Sequence, residues 1–238
     1  MYEGEFAELY DQFYEARGKD YAAEASAVTD LVRSRYPHAD SVLDVACGTG
    51  SHLEPLSRSF GRVEGLELSP AMIEVAERRY PQLTVTQGDM RAIDLPRQFD
   101  AVTCMFSSIG HMVDVDELDA ALDSFARQLA PQGVVVVEPW WFPETFLPGY
   151  VAADVVRVGD RAISRTSHSL RDGRVSRLEI HWLVADPTDG VRHETEHYEI
   201  TLFEREEYET AFRQAGLDVE YLEGGPSGRG LFVGLHAG

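Results

Sequence analysis

The chain has 238 residues, with 41 acidic and 21 basic side chains, and its formal net charge at pH 7 is −20. This surplus of negative charge argues against nonspecific binding to nucleic acid or to an anionic membrane, although a small anionic ligand needs only local positive charge. A hydrophobic fraction of 44% and two cysteines indicate a globular protein without a disulfide framework.

The N-terminal stretch lacks the basic and apolar regions of a signal peptide, and no apolar run in the chain is long enough to span a membrane. A cytoplasmic protein without nucleic-acid or membrane partners is therefore expected. Residues 5–17 have apolar side chains at helical spacing, and residues 20–36 form a second predicted helix with Asp20 as its N-cap. Several tyrosines crowd this arm and either pack on the core or line a ligand pocket: Tyr2, Tyr10, Tyr14 and Tyr21.

The stretch that organises the chain runs from Val42 to Gly50. An apolar strand containing Asp44 leads into a turn of small residues, and a helical pattern follows the turn. A glycine turn between a parallel strand and a helix lets a ligand approach the backbone closely. The Gly-x-Gly-x-x-Gly spacing of dinucleotide-binding folds fails, because Leu53 occupies the third glycine position.

Two further acids accompany the next two predicted strands. Glu67 lies at the end of strand two, residues 62–68, and strand three, residues 83–87, leads into Gly88-Asp89-Met90. A carboxylate after strand two suits a ribose diol, because it can accept hydrogen bonds from two hydroxyl groups. An acid after strand three suits the exocyclic amine of adenine. The three acids in this order favour a ligand that contains adenosine.

Strands and helices continue to alternate up to residue 141. The predicted elements are a helix at 51–59, a helix at 70–80, strand four at 99–106, a helix at 116–129 and strand five at 134–137. This alternation predicts a parallel sheet with right-handed crossovers, whose ligand site lies at the carboxyl ends of strands one to four. His111 follows strand four and is expected on the rim of that site, although a lone histidine is more often structural.

After residue 141 the hydrophobic period changes from that of helices to that of strands. A three-stranded antiparallel meander is predicted at 161–171, 174–185 and 191–203. A helix and two more strands then close the main sheet, at 204–215, 218–222 and 230–235. The expected organisation is a core with an N-terminal helical cap at 1–149, an inserted β subdomain at 150–203 and completing elements at 204–238.

The segment 157–177 is basic within this acidic chain. It has six arginines and two acids, so that its local charge is 6 − 2 = +4; the arginines are Arg157, Arg161, Arg165, Arg171, Arg174 and Arg177. Strand alternation places Arg161, Arg165 and Ser167 on one face, and Arg229 lies in a glycine-rich loop between the last two strands. Such arginines suit a phosphate or pyrophosphate, and the alternative is a set of solvated strand faces.

One apparent metal motif is rejected. The sequence HETEH from His193 to His197 matches the zinc-protease pattern, which needs a helix to bring both imidazoles to one face. On the predicted strand the two histidines would be ~13 Å apart, too far to share a metal ion. No metal site is expected.

Taken together, the turn from Asp44 to Gly50, Glu67 and Gly88-Asp89-Met90 resemble the three cofactor motifs of the class I S-adenosylmethionine methyltransferases. The resemblance implies a doubly wound, seven-stranded Rossmann-like α/β sheet with S-adenosylmethionine as cofactor, and Ala46 departs from it where glycine is usual. Arg17, at the end of the capping helix, is expected to pair with the carboxylate of the cofactor. The residues expected at the cofactor are Tyr10, Arg17, Asp44, Ala46, Gly48, Gly50, Glu67, Asp89, Met90 and Met105.

A narrower resemblance runs nearly from end to end. The segments 106–112, 137–143, 200–203 and 224–232 (FSSIGHM, VEPWWFP, ITLF and GGPSGRGLF) are similar to the nucleotide-aminosugar N,N-dimethyltransferases of macrolide antibiotic pathways. The resemblance implies dimethylation of the 3-amino group of dTDP-3-amino-3,4,6-trideoxy-α-D-glucose to give dTDP-desosamine, with a homodimer expected. It also implies a catalytic role for His111. The residues expected at the substrate are Tyr2, Tyr14, Tyr150, Arg165, Ser167 and Arg229.

Three alternatives stay open on the sequence alone. A close relative of the same family makes dTDP-mycaminose, whose sugar keeps a 4-hydroxyl group. A class I methyltransferase acting on an oxygen of another small molecule would carry the same cofactor motifs. The third alternative is a cofactor-binding scaffold without activity, against which the intact acids Asp44, Glu67 and Asp89 argue.

Overall fold

The structure is a computed structural model that describes residues 4–236, without the side chains of residues 4–6 and 8, so that the predicted substrate residue Tyr2 lies outside the described residues. The helices are α1 Gly4–Ala16, α2 Tyr21–Arg35, α3 Leu53–Ser57, α4 Pro70–Arg79, α5 Val115–Arg127 and α6 Arg205–Gln214. The strands are β1 Ser41–Val45, β2 Arg62–Glu67, β3 Thr84–Gln87, β4 Phe99–Cys104, β5 Leu129–Val137, β6 Tyr150–Val158, β7 Arg161–Asp172, β8 Val175–Asp186, β9 Gly190–Thr201, β10 Leu217–Leu222 and β11 Leu231–His236. Asp20 caps α2 as predicted, since its side chain accepts a hydrogen bond from the amide of Ala23.

The main sheet has seven strands in the order β10-β11-β5-β4-β1-β2-β3. Strands β1 to β5 pair in parallel, whereas β11 runs antiparallel to β5 and to β10. Helices cover both faces, because the central strands are apolar on both sides. One face packs against α5 and α6 and the other against α2 and α3. The predicted doubly wound, seven-stranded α/β fold is confirmed.

The second sheet is antiparallel and has four strands in the order β6-β7-β8-β9. Its inner face packs against α1, where Phe13 and Trp182 meet edge to face with ring centroids 4.9 Å apart. His193 and His197 both lie on β9 and not on a helix, as the rejection of the zinc-protease pattern required. Strands β7, β8 and β9 form one wall of the site described below.

The strand prediction is wrong at β6 and at the start of β5. The meander was predicted with three strands, and the structure adds β6, an edge strand that pairs only with β7 and has Val156 as its one buried residue. With so little burial, its sequence carries no alternation of apolar and polar residues. Strand β5 begins at Leu129 and not at Val134, and residues 130–133 form an irregularity within its pairing to β4.

No described helix has both the length and the apolar composition that a membrane span requires.

Candidate active site

Two cavities meet at the carboxyl ends of the parallel strands. The smaller, of about 410 Å³, is lined by the turn after β1 and by the ends of β2 and β4. The larger, of about 980 Å³, lies between α1, the start of α2, the inner face of the second sheet and the glycine-rich loop before β11. The residues that line both cavities are Tyr10, Phe106, His111 and Tyr198. These four define the junction, where ligands of the two cavities would touch.

The turn after β1 brings the backbone to the smaller cavity. Ala46 and Gly48 have φ angles of 56° and 58°, both in the left-handed region. A residue with a Cβ in this conformation is strained by roughly 1–2 kcal/mol, which gives a physical reason why glycine is usual where Ala46 stands. Strand β2 passes directly against the turn, because a Cβ on Gly65 would lie 2.6 Å from Sγ of Cys47.

Glu67 fixes this turn and also lines the smaller cavity. Its Oε2 accepts a hydrogen bond from the amide of Gly48 at 2.9 Å, and its Oε1 accepts one from the amide of Ser69 at 2.8 Å. An ionised carboxylate has about four acceptor positions. Acceptor capacity therefore remains for two hydroxyl groups of a ligand, in the place where the sequence predicts a ribose diol.

Asp44 is 2% exposed at the end of β1 and lines the same cavity. The hydroxyl of Thr103 donates a hydrogen bond to its Oδ1 at 2.7 Å. Burial raises the pKa of the Asp44 carboxyl, and the neighbouring charge of His52 opposes that rise. A buried carboxyl at this position favours a positively charged group of a bound ligand beside it.

Asp89 stands at the edge of the smaller cavity after β3. Its carboxylate accepts hydrogen bonds from the amide and from Nε of Arg91, at 2.9 and 3.0 Å. The hydrogen bond from Arg91 is the chief cause that lowers the pKa of Asp89, so the group is an ionised acceptor at neutral pH. Met90 and Met105 add apolar surface to the same cavity. This combination suits an aromatic base with an exocyclic amine.

A buried network that the sequence did not predict clamps α1 over the turn. Asp11 is 3% exposed and accepts hydrogen bonds from the hydroxyl of Thr49 and from Nη1 of Arg79 at 2.5 Å. These contacts join positions 38 and 68 residues apart in the chain. Nothing in the local sequence of α1 distinguishes Asp11, because it is one of several acidic residues in that helix.

A second unpredicted network links the two cavities through Lys19, Glu24 of α2 and His52. Glu24 accepts hydrogen bonds from Nζ of Lys19 at 2.7 Å and pairs with Nε2 of His52 at 2.8 Å. Burial would raise the pKa of Glu24, but the hydrogen bonds from His52 and Lys19 outweigh it and the pKa is lowered. The Lys19 ammonium also lies 3.9 Å from the centre of the Phe106 ring.

Three arginines line the larger cavity; Arg17 has a side chain that is 40% exposed and pairs with Asp154, whereas Arg165 and Arg229 are largely buried. Arg165 is 9% exposed, donates a hydrogen bond to the hydroxyl of Ser167 at 3.1 Å and lies over the ring of Trp182. Arg229 lies over Trp140 and Trp141, with its guanidinium 5.1 and 5.6 Å from their centres. The Nε atoms of Arg165 and Arg229 are buried and have no hydrogen-bond partner among the described residues. The cavity thus presents donors suited to an anion.

The other five arginines of the basic segment point elsewhere, and none of them lines the larger cavity. They contact protein groups or solvent: Arg161 pairs with Asp186, Arg174 with Glu207, Arg177 with Asp172 and Glu199, Arg171 donates to the carbonyls of Pro143 and Gly173, and Arg157 is exposed. Of the +4 segment, Arg165 alone is placed to bind a ligand in this cavity.

His111 lies at the junction, at the end of a 3₁₀ turn from Ser108 to His111. The turn follows Phe106 and Ser107, which both have left-handed backbones with φ of 56° and 66°. His111 is accessible to solvent through the cavities, but desolvation by the cavity walls lowers its pKa, so its imidazole is neutral at pH 7 and has a nitrogen lone pair available. The ring of Tyr198, a residue without a recognisable sequence motif, has its centroid 6.1 Å from that of His111.

Four predicted residues lie away from the positions expected of them. Arg17 lines the larger cavity and pairs with Asp154 at 3.2 Å, so its guanidinium is not at the smaller cavity where a cofactor carboxylate was expected. Gly50 packs against the Tyr80 ring and lines neither cavity. Tyr150 is 55% exposed and also lines neither. Ser167 supports Arg165 and does not line the larger cavity itself.

The remaining predicted residues line the cavities expected of them. Those at the smaller cavity are Tyr10, Asp44, Ala46, Gly48, Glu67, Asp89, Met90 and Met105, and those at the larger one are Tyr14, Arg165 and Arg229. The ligand contacts assigned to them stay predictions.

Comparison with known sequences identifies close relatives. Residues 42–133 match the family profile described as a methyltransferase domain. The chain is 60% identical over 237 residues, and over 100% of both chains, to the dTDP-3-amino-3,4,6-trideoxy-alpha-D-glucopyranose N,N-dimethyltransferase of Streptomyces venezuelae. It is 58% identical to the dTDP-3-amino-3,6-dideoxy-alpha-D-glucopyranose N,N-dimethyltransferase of Streptomyces fradiae, over 98% of this chain and 92% of that one.

Solved structures agree with these sequence matches. Streptomyces venezuelae DesVI superposes with a TM-score of 0.97 at 60% identity, covering 99% of this chain and 100% of that one. SAM-bound CalS10, an amino pentose methyltransferase from Micromonospora echinaspora, superposes with a TM-score of 0.90 at 47% identity, covering 96% of this chain and 97% of that one.

Proposed function

This chain belongs to the S-adenosylmethionine-dependent methyltransferases, among the N,N-dimethyltransferases of dTDP-aminosugars, and we propose that its substrate is dTDP-3-amino-3,4,6-trideoxy-α-D-glucopyranose. Two successive methyl transfers to the 3-amino group would give the 3-dimethylamino sugar. The observation that carries the proposal is the junction at His111, where a cavity suited to a nucleoside meets a cavity that presents two largely buried arginines, Arg165 and Arg229.

The residues of the smaller cavity fit S-adenosylmethionine. Glu67 retains acceptor capacity for the ribose hydroxyls, and Asp89 offers an acceptor to the adenine amine. Asp44 is a buried carboxyl beside the position of the positively charged part of the cofactor. The left-handed backbone at Gly48 leaves room for close approach, because no heavy atom lies within 4 Å of a Cβ built there.

The chemistry of methyl transfer explains a neutral histidine at the junction. Bound S-adenosylmethionine supplies a methyl group on a sulfonium sulfur, and the substrate amine attacks it in line through its lone pair. An alkyl amine with a pKa of ~8–10 is largely protonated at neutral pH and then has no lone pair to donate. The neutral imidazole of His111 can accept a hydrogen bond or a proton from that nitrogen. Positioning supplies the rest of the rate acceleration.

The larger cavity would hold the dTDP moiety, with its diphosphate at Arg165 and Arg229. We expect Arg165→Ala and Arg229→Ala each to raise the KM for the dTDP-sugar roughly tenfold to a hundredfold. The reason is that each substitution removes charge-assisted hydrogen bonds worth ~1.5–3 kcal/mol. Steady-state kinetics measure the KM, and calorimetric titration with dTDP measures the affinity without the sugar.

The control for this prediction is Arg177→Ala. Arg177 belongs to the same basic segment but pairs with Asp172 and Glu199 outside both cavities. Its substitution should leave dTDP affinity unchanged. If dTDP binds the Arg165 and Arg229 variants as tightly as the wild type, the phosphates lie elsewhere and this part of the proposal is wrong.

The 4-hydroxy sugar is the second candidate substrate, because the Streptomyces fradiae relative, at 58% identity, is named for dTDP-3-amino-3,6-dideoxy-α-D-glucopyranose. Mass spectrometry of products from the two dTDP-3-aminosugars separates the candidates. We expect two methyl groups on the amine of both sugars and a higher kcat/KM for the 4-deoxy sugar. A preference for the 4-hydroxy sugar would reassign the substrate. Absence of N-methylated product would point to an O-methyltransferase or an inactive scaffold.

We further propose that the chain works as a homodimer and that its second sheet, within residues 150–203, serves nucleotide-sugar binding on one face and self-association on the other. The outer face exposes large apolar side chains at Val151, Val155, Leu170, Leu183 and Val191. Val155 and Leu183 share that face, since each lies opposite Ser164. Light scattering should report a dimer that Val155→Glu weakens, and a monomeric wild type would contradict this. Cytoplasmic localisation stays a prediction.

A further inference from the structure

Glu138 is a buried carboxylate that directly follows β5 and is not among the predicted site residues. Its residue is 1% exposed, so its charge requires compensation from nearby groups. The structure supplies three. Its Oε2 accepts a hydrogen bond from the amide of Phe106 at 2.7 Å, and its Oε1 accepts one from the hydroxyl of Ser227. The third group is the Arg229 guanidinium, with Nη2 3.8 Å from Oε1.

These three partners belong to different parts of the site. Phe106 is a junction residue with a left-handed backbone, two residues before the 3₁₀ turn that ends at His111. Ser227 and Arg229 belong to the glycine-rich loop that closes the larger cavity. Glu138 therefore connects the turn that carries the catalytic histidine to the loop that carries a substrate arginine.

The contact with Arg229 is electrostatic and leaves the guanidinium able to bind a further anion. A separation of 3.8 Å exceeds the length of a hydrogen bond. The Arg229 side chain is 11% exposed, and its Nε has no hydrogen-bond partner among the described residues. Burial lowers the pKa of Arg229 and the charge of Glu138 opposes that effect, so Glu138 favours the charged guanidinium.

We propose that Glu138 is a positioning residue that acts as the resident counter-ion of Arg229 and competes with the substrate diphosphate for it. Without substrate, the carboxylate balances the buried guanidinium and holds the loop through Ser227. When dTDP is bound, the Glu138 carboxylate and the diphosphate both interact with the Arg229 guanidinium. Glu138 therefore keeps Arg229 in place but weakens the binding of the phosphates to Arg229. This inference rests on the proposed placement of the diphosphate at Arg229.

The test is Glu138→Gln, which keeps the size of the side chain and an acceptor for the Phe106 amide but removes the charge. We expect dTDP to bind about tenfold more tightly than to the wild type, because repulsion between the carboxylate and the diphosphate is gone. The Kd for S-adenosylmethionine should stay within about twofold. A purely structural role for Glu138 predicts the opposite result, weaker dTDP binding by the Glu138→Gln variant, because a loosened loop would bind dTDP less well. Glu138→Ala also removes the charge and serves as a second neutral variant if the glutamine chain fails to fold.

Two further variants extend the test. One distinguishes the effect of the Glu138 charge from the effect of its hydrogen bond with Ser227, and the other tests whether the diphosphate lies at Arg229. Ser227→Ala removes a hydroxyl that holds the loop but keeps the carboxylate, so dTDP affinity should be unchanged or weaker. In an Arg229→Ala background, Glu138→Gln should no longer tighten dTDP binding more than about twofold. If Arg229→Ala weakens dTDP binding while neither neutral Glu138 variant tightens it, the counter-ion role is overturned. If Arg229→Ala has no effect on dTDP, the diphosphate site itself is misplaced and this inference falls with it.

Discussion

Glu67→Ala is expected to weaken S-adenosylmethionine binding roughly tenfold to a hundredfold and to leave dTDP binding nearly unchanged. The carboxylate accepts hydrogen bonds from the amides of Gly48 and Ser69, and it has acceptor capacity left for the ribose hydroxyls. Hydrogen bonds to a charged group contribute ~1.5–3 kcal/mol each. Loss of the side chain would remove the proposed ribose contact and would also release the turn after β1, so both effects would reduce affinity in the same cavity.

Calorimetric titration with S-adenosylmethionine and, separately, with dTDP measures these two affinities. Glu64→Ala is a matched control, because Glu64 lies on the same strand, pairs with Arg97 at 3.5 Å and lines neither cavity. An unchanged cofactor affinity in the Glu67 variant would show that the ribose lies elsewhere. An equal loss of dTDP affinity would show instead that the substitution disturbs the whole site.

The grouping of the predicted cofactor residues around one cavity was predictable because their sequence signals are local. Each acid of the motif set follows its own strand along the chain, and parallel strands bring their carboxyl ends to one edge of the sheet. Asp44, Glu67 and Asp89 therefore line one cavity, although the sequence contains no direct sign that they are near each other. Strand alternation was also sufficient to place Arg165 and Ser167 on the same face of β7.

The residues that the sequence did not predict depend on contacts between distant segments. Glu138 joins Phe106, 32 residues before it, to Ser227, 89 residues after it. Tyr198 lies at the junction because it is on β9. In the sequence it cannot be distinguished from any other inward-facing residue of a strand. Arg17 was assigned from its position at a helix end, but Asp154 of the unpredicted strand β6 holds it at the larger cavity.

The last prediction concerns His111, whose two substitutions should differ. His111→Asn retains a polar group that can accept a hydrogen bond from the amine, so we expect kcat to fall about tenfold. His111→Ala removes that group, and we expect a loss of about a hundredfold or more, at the low end of the range typical of general-base contributions. The reason for unequal effects is that an amine can lose its proton to solvent before it binds. A free amine then needs orientation and not a base.

The pH dependence of kcat follows from the ionisation of two groups, the His111 imidazole and the substrate amine. Desolvation by the cavity walls lowers the pKa of His111, so the neutral imidazole is present above its depressed pKa and is lost only as the pH falls through it. The amine titrates at higher pH, near its own pKa of ~8–10, and its neutral form increases as the pH rises. The wild-type rate should therefore rise with the ionisation of the amine, and His111→Asn should keep the same rising limb at a lower amplitude.

Measurement of kcat for the wild type and both variants from about pH 6 to 10 distinguishes orientation from base catalysis. An orienting role predicts that the asparagine variant is more active than the alanine variant at every pH. It also predicts that high pH does not restore the alanine variant fully, because the free amine still lacks its partner at the junction. If both variants are equally inactive at every pH, the imidazole is an obligatory base. If high pH restores both variants to the wild-type rate, His111 serves only to remove the proton and solvent can replace it.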